Sequence, residues 1–349
     1  MRLLSILIVS ALLYSCAKVP PTAVPQGPAF NIAIPLGLPK LAIPVDNPPT
    51  EKTIALGRKL FYDTRLSADG KLSCASCHGP ATGFADPRRV SVGFANKTGD
   101  RNAPTVINAA YSPLQFWDGR AATLEAQASG PIANPVEMNL PHDECIAKLN
   151  TDAVYAKLFD EAFGPGGVTM PRVQKAVASF ERTVLSGNSP FDRYQYGRDA
   201  KAMTPEAIRG LAIFKDVNRG NCAVCHTIGE SDALFTDGKF HNLGAGMDAS
   251  GELKDLGRYN ETKLDTDRGA FKTPTLRNIA RTAPYMHDGS QKTLKDVVDF
   301  YVGGGNSNPH RDKEIKETKL TGREREDLVE FMKALTGEMP ASTGPQGGE

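Results

Sequence analysis

Residues 54–78 read IALGRKLFYDTRLSADGKLSCASCH, and residues 208–226 read IRGLAIFKDVNRGNCAVCH. Each opens with apolar residues at helical spacing: Ile54, Leu56, Leu60 and Phe61 in one, Ile208, Leu211, Ile213 and Phe214 in the other. That spacing gathers side chains on one side of a helix. Within it a glycine, an apolar pair ending in phenylalanine and an aspartate recur in order, Gly57, Leu60-Phe61 and Asp63 against Gly210, Ile213-Phe214 and Asp216. Each copy then runs into Cys-x-x-Cys-His, so the chain contains an internal duplication. The second helix starts at Thr204-Pro205-Glu206, with threonine as N-cap and proline at the first position. A closing helix is predicted in LTGREREDLVEFMKALTG, residues 320–337, where Thr321 and Glu324 form a capping box and Gly337 can end the helix. Leu328, Met332 and Leu335 give it an apolar side to pack on the 205–216 helix. No alternation of strands with helices is legible, so the body is expected to be mainly α.

The repeated pentapeptides carry the chemistry. Two thiols three residues apart on one turn can reach both vinyl groups of a single porphyrin, and the next histidine then lies under the iron. Cys74, Cys77 and His78 form one such site, and Cys222, Cys225 and His226 the other. A zinc site built from two Cys-x-x-Cys pairs is the alternative, but zinc does not require histidine directly after each pair. The expected fold is two cytochrome c-like domains, each with one covalent haem, packed with the haems in electron-transfer contact. Of the six cysteines, Cys16 falls in the leader and Cys145 is left over, a small hydrophobe for a core.

Outward from the haem motifs, residues 1–16 read as a lipoprotein-type signal. Arg2 precedes an apolar stretch, Leu3 to Leu13, too short to span a bilayer, and Leu13-Tyr14-Ser15-Cys16 resembles a lipobox. An ordinary signal peptide with an incidental cysteine stays open beside lipidation of Cys16. Residues 17–49 form a tether and surface segment, with nine prolines between 20 and 49 that exclude helix. The expected divisions after it are a first haem domain at 50–201, a second haem domain at 202–337 and a disordered tail at 338–349. A net charge of +1 gives no reason to expect nucleic acid.

Between the motifs lies RNAPTVINAAYSPLQFWDGRAATLEAQASGPIANPVEM, residues 101–138, and later come FKTPTLRNI (271–279) and APYMHDGS (283–290). With these segments the chain resembles the bacterial di-haem cytochrome c peroxidases and their MauG-like relatives over roughly residues 40 to 337. The resemblance implies that Trp117 is a relay between the haems, and that Gln127 and Glu137 line the distal pocket of the first haem, with Pro131 close by. Glu137 would move the proton that peroxide loses from one oxygen and gains on the other. Arg120 is open between a haem propionate and the surface. Asn102, Thr282 and Pro284 match a calcium site between the domains, with water supplying further oxygen ligands.

Two departures from the standard peroxidases point to the MauG-like branch. Where those enzymes carry a histidine that blocks the first iron, SVGFAN (91–96) has Phe94, which cannot ligate; His142 is the other histidine open for that role. At the second haem the expected ligand is Tyr301 in VVDFYVGGG (297–305), with Met286 as the alternative. His287 is expected at a haem edge rather than on metal. The activity implied is reduction of hydrogen peroxide with electrons from a small cytochrome or copper protein. One rival is a MauG-like oxidase that modifies residues of a partner protein, and the other is a non-enzymatic electron carrier. The resemblance also implies a periplasmic location and allows a homodimer.

Overall fold

The computed structural model describes residues 23–339 and 343–344. The leader and the lipobox cysteine lie outside the described residues. Helices dominate: α1 (Glu51–Tyr62), α2 (Leu124–Ala133), α3 (His142–Asn150), α4 (Ala153–Phe163), α5 (Met170–Glu181), α6 (Pro190–Gln195), α7 (Pro205–Lys215), α8 (Tyr259–Thr262), α9 (Leu294–Val302) and α10 (Gly322–Lys333). The strands are two short antiparallel pieces, β1 (Phe240–His241) and β2 (Phe271–Lys272), paired Phe240 to Lys272.

The duplication is a pair of helix crossings. α1 lies across α5, and α7 lies across α10. Both crossings close at a glycine. A Cβ on Gly57 would sit 1.8 Å from the Ala176 carbonyl oxygen, and one on Gly210 would sit 2.0 Å from that of Asp327. Real side chains cannot approach backbone that closely, so only glycine allows the axes to meet. Beside each crossing two phenylalanines touch, Phe61 with Phe180 at 5.2 Å and Phe214 with Phe331 at 4.9 Å between centroids. All four are essentially excluded from solvent, and truncating one would cost about 3–5 kcal/mol. The Thr321 cap accepts from Glu324 N–H as the sequence requires, and Thr50 caps α1 through Thr53.

One core gathers residues of α1 and α3–α5, including Leu56, Leu60, Tyr155, Phe159 and Val173. Cys145 is buried here as a free thiol, the small apolar filler it was expected to be. A second core gathers Leu211, Phe214, Phe235, Val298, Leu328 and Phe331. Phe191 on α6 packs in this second core, although the expected boundary at 201 assigns it to the first unit.

Both ends of the described chain are lashed to the body. Residues 23–49 contain no helix or strand, and Leu38 and Leu41 bury against Leu185. The Gly37 carbonyl accepts from Ala233 N–H and from Arg277, whose guanidinium also makes a bidentate pair with Asp192 at 2.8 and 2.9 Å. Arg277 and Asp192 are both buried. The tail corrects an expectation: its described residues dock rather than trail. Glu338 N–H donates to Gly187 C=O, Met339 packs beside Phe61, and the buried Thr343 carbonyl accepts from Tyr62 Oη at 2.7 Å. Apolar Met339 and the free Tyr62 hydroxyl provide the reason.

Candidate functional site

Each Cys-x-x-Cys-His segment begins with a 3-10 turn that follows the first helix of its unit, Cys74–Ser76 after α1 and a short turn at Thr64–Leu66, and Cys222–Val224 after α7. The four thiols are free of disulfides. Burial pushes Cys74 and Cys222 up to about 12. The histidines are fixed the same way. His78 Nδ1 donates to the Phe84 carbonyl at 3.1 Å, and His226 Nδ1 donates to the Phe235 carbonyl at 2.8 Å. Phe84 and Phe235 both adopt left-handed backbone, with φ 55° and 53°. The loop below each is latched by a threonine, Thr105 to Gly83 C=O and Thr275 to Leu234 C=O. Because a carbonyl can only accept, the proton is on Nδ1 and the lone pair on Nε2, the state an iron ligand needs. Burial pushes both imidazoles below their ordinary value, which keeps them neutral.

At the second motif a cavity of about 640 Å³ opens, lined by Cys222, Cys225, His226 and Tyr301 among mainly apolar side chains. Its size is that of a cofactor pocket. Two thiols, an imidazole with Nε2 unprotonated and apolar walls are the donor set and shape a c-type haem requires. Met286 and Tyr301 both line this cavity. The Tyr301 hydroxyl has no hydrogen-bond partner among the described residues, and burial, with the Cys222 and Cys225 thiols near it, pushes it far above the ordinary phenol value. Tyr301 is half-buried on this wall; once a cofactor fills the cavity a phenol without a partner is costly, and a metal would relieve that cost. His287 also lines the cavity, stacked on Phe271 at 3.5 Å, and burial pushes it down to about 4. Cys225, Asp237 and His241 lie close enough together to suggest a separate cation site. However, both His241 nitrogens are taken, Nε2 by Asp237 at 2.9 Å and Nδ1 by Asp312, so the ring has no lone pair to offer.

Around the first motif the structure brings together Phe94, Pro131 and Glu137. Phe94 N–H donates to the Glu137 carbonyl at 2.7 Å, and Met138 N–H donates to that of Pro131. Gln127 lies one turn before Pro131 on α2, so both share a face. Burial pushes the Glu137 carboxyl above its ordinary value, opposed by the Asn134 amide at 2.6 Å and by Arg120. The Glu137 charge is near enough to raise both the Cys74 and the Cys77 thiol slightly, behind burial and closer groups. Arg120 stacks on Phe116 and pairs with Asp118. His142 Nε2 donates to the Ser129 carbonyl at 2.9 Å, which fixes the ring against α2.

Trp117 connects the halves. Its Nε1–H donates to Asn102 C=O, its own carbonyl accepts from Lys272 N–H, both at 2.8 Å, and it lines the cavity that holds His226. Asn102, Thr282 and Pro284 line that cavity too. The Asn102 amide N–H groups bond the Arg88 and Arg89 carbonyls, and that leaves its side-chain oxygen as the atom a cation would use.

Sequence reading missed a second register of the duplication. Asn108 and Asn278 (φ 60° and 59°), Phe116 and Met286 (65° and 69°), and Gly119 and Gly289 (70° and 64°) repeat at one constant offset. The bridges Gln115–Ala121 and Tyr285–Gln291 and the caps Thr123 and Thr293 follow it. In this register Trp117 matches His287, Asn102 matches Lys272, and Pro131 matches Tyr301. The position that places a tyrosine on the cavity wall at the second motif therefore has a proline, which cannot ligate, in the first unit. The available signal was Asn, Gly and Thr at turns and caps, beneath side chains that have otherwise diverged.

A family model described as di-haem cytochrome c peroxidase matches residues 51–200. A methylamine utilization protein MauG of Methylorubrum extorquens is 41% identical over 304 residues, 87% of this chain and 83% of that one. The cytochrome c551 peroxidase of Pseudomonas aeruginosa is 37% identical over 298 residues, 84% of this chain and 81% of its own. Among solved structures, a MauG-like protein associated with microbial copper homeostasis superposes with a TM-score of 0.79 at 33% identity, covering 89% of this chain and 96% of the other. The mainly α duplicated fold, the two haem-attachment sites and these relatives agree: the chain belongs to the di-haem cytochrome c peroxidases and their MauG-like relatives, and is an oxidoreductase of that peroxidase type with two c-type haems.

Proposed function

We propose that the chain reduces hydrogen peroxide to water at the haem of Cys74, Cys77 and His78, with electrons from a small redox protein entering through the second haem. The observation that carries this reading is the backbone pairing that joins the Phe94 turn to Glu137 and the residue after Glu137 to Pro131, which brings a non-ligating ring, a proline and a carboxylate together where the resemblance expects the distal side of the first haem. When bound, the haems supply the iron that takes peroxide and the redox equivalents for its two-electron reduction. The protein does the rest. His78 presents Nε2 from below. Glu137 accepts a proton from one peroxide oxygen and returns it to the other, the transfer that makes water the leaving group. Its buried carboxyl is suited to this because its affinity for a proton lies nearer neutrality than that of an exposed glutamate. Gln127 orients peroxide, Phe94 and Pro131 keep the iron accessible, and Trp117 spans the gap to the second haem.

Several parts of the reading rest on resemblance together with geometry: the divisions at 50–201 and 202–337, Tyr301 as ligand of the second haem, and calcium at Asn102, Thr282 and Pro284. Placement on the periplasmic side, with a lipid at Cys16, follows from the leader sequence. No described helix is long and apolar enough to cross a membrane. A MauG-like oxidation of a partner protein is the second reading. It is favoured by the unpartnered Tyr301 hydroxyl, since an anionic oxygen ligand stabilises oxidised iron.

The deciding experiment is an absorption spectrum of the fully oxidised protein before and after one equivalent of peroxide. A prompt change at both haems is expected. Silence until one haem is reduced would overturn the open first site. Turnover with reduced cytochrome, against oxidation of a co-encoded protein, separates the two readings.

A further inference from the structure

The cavity at the second haem site contains one charge without a partner. Lys272 lies on β2 with its side chain on the cavity wall, among the residues that line it. Its ammonium makes no hydrogen bond or ion pair with any described residue, and burial alone pushes it down to about 8. The histidines on that wall are otherwise engaged. His241 is held between Asp237 and Asp312, His287 is stacked and neutral, and His226 donates Nδ1–H to the Phe235 carbonyl. Glu314, Lys316 and Glu317 belong to the exposed rim. Lys272 is half-buried on this wall, and once a cofactor fills the cavity its ammonium loses water, which without a counter-charge costs several kcal/mol. The cofactor that fits this cavity brings two carboxylates, located across the ring from the vinyl groups that Cys222 and Cys225 capture.

We propose that Lys272 is the counter-ion of a propionate of the second haem and that this pair fixes the haem edge against the Trp117 loop. The backbone supports the second half of the statement. Lys272 N–H donates to Trp117 C=O at 2.8 Å, so the residue that meets the propionate is hydrogen-bonded to the residue between the haems. The duplication supports the first half: the matching position in the first unit is Asn102, which is satisfied by backbone carbonyls and needs no anion. Lys272 is thus a positioning residue, acting on the haem's electron affinity through charge and on its placement through the β2 backbone. The inference rests on the second haem being seated at His226 and not on peroxide being the substrate.

The test uses the holoprotein with both haems attached, as checked by its optical spectrum. Lys272→Met removes the charge with little change in volume, and Lys272→Arg keeps it. A positive charge favours the reduced haem. Lys272→Met should therefore lower the equilibrium constant for reducing the second haem about tenfold, ~59 mV for one electron, and Lys272→Arg should restore it. The readout is a potentiometric titration, with Lys272→Gln read the same way if the methionine variant does not assemble. A constant within about threefold of the parent in the uncharged variants, or an equal shift in Lys272→Arg, would overturn the pairing. Neither result depends on turnover, so failure of the peroxidase reading would be seen separately.

Discussion

Replacing Glu137 by glutamine isolates the proton-transfer step. The Asn134 amide donates to Glu137 Oε1 at 2.6 Å, and a glutamine carbonyl can accept the same bond. The backbone bond from Phe94 to residue 137 does not involve the side chain. The pocket should keep its shape, and what is lost is the atom that takes the proton. General acid–base groups contribute about 100- to 10,000-fold, which corresponds to about 2.7–5.4 kcal/mol of barrier. The assay is rapid mixing of oxidised holoprotein with peroxide, followed at the first haem, with the unreacted spectrum as a check on assembly. In the parent the rate should fall as pH drops through the raised carboxyl value, because the base form is consumed. In Glu137→Gln the rate should be low and independent of pH over that range. A variant that reacts within about threefold of the parent, or keeps its pH dependence, would refute the role given to Glu137.

Three further perturbations address other residues. Phe94→His places an imidazole beside Glu137 and should slow the peroxide reaction of the oxidised protein about tenfold or more, the cost of displacing a ligand worth ~1.4 kcal/mol; unchanged kinetics would mean residue 94 does not face the iron. Tyr301→Met should raise the second haem's potential, since thioether favours reduced iron and phenolate the oxidised form; an unshifted titration would assign the ligand to Met286. Glu181 is buried with Oε2 unpaired, and burial pushes it up to about 8. The folded state then keeps a proton that the unfolded chain releases near pH ~4.3, so stability is lost as pH rises from there through about 8. The upper bound on that loss is about 5 kcal/mol. Thermal midpoints between pH 5 and 9 should slope downward in the parent and flatten in Glu181→Gln; parallel curves would contradict this.

What the sequence makes legible follows from what evolution cannot vary. Covalent attachment demands Cys-x-x-Cys-His, and a backbone-to-backbone crossing demands Gly57 and Gly210, so both copies of the first register are readable. The caps at Thr50, Thr204 and Thr321 are equally local. Glu137, Gln127 and Trp117 were singled out by the resemblance to the peroxidases alone. No single-sequence pattern would separate one buried glutamate from 40 acidic residues. The features that stayed hidden depend on long-range burial. Lys272 is an ordinary lysine until the cavity removes its water, and Glu181 holds the place that Met332 holds in the other crossing. The docked tail was misread because composition reports polarity and not the surface waiting at Tyr62 and Gly187.

The two lashed ends have a topological consequence. The leading segment reaches forward to Arg277 and Ala233, and the trailing segment reaches back to Tyr62 and Gly187, so each half is tied to the other by a stretch of the other's chain. The peptide that joins them passes through exposed residues 197–201. Cutting it would yield two fragments that still embrace each other, like hands clasped at the wrists. The geometry between the haems is therefore a property of the interlock and not of the single covalent link through which the backbone runs.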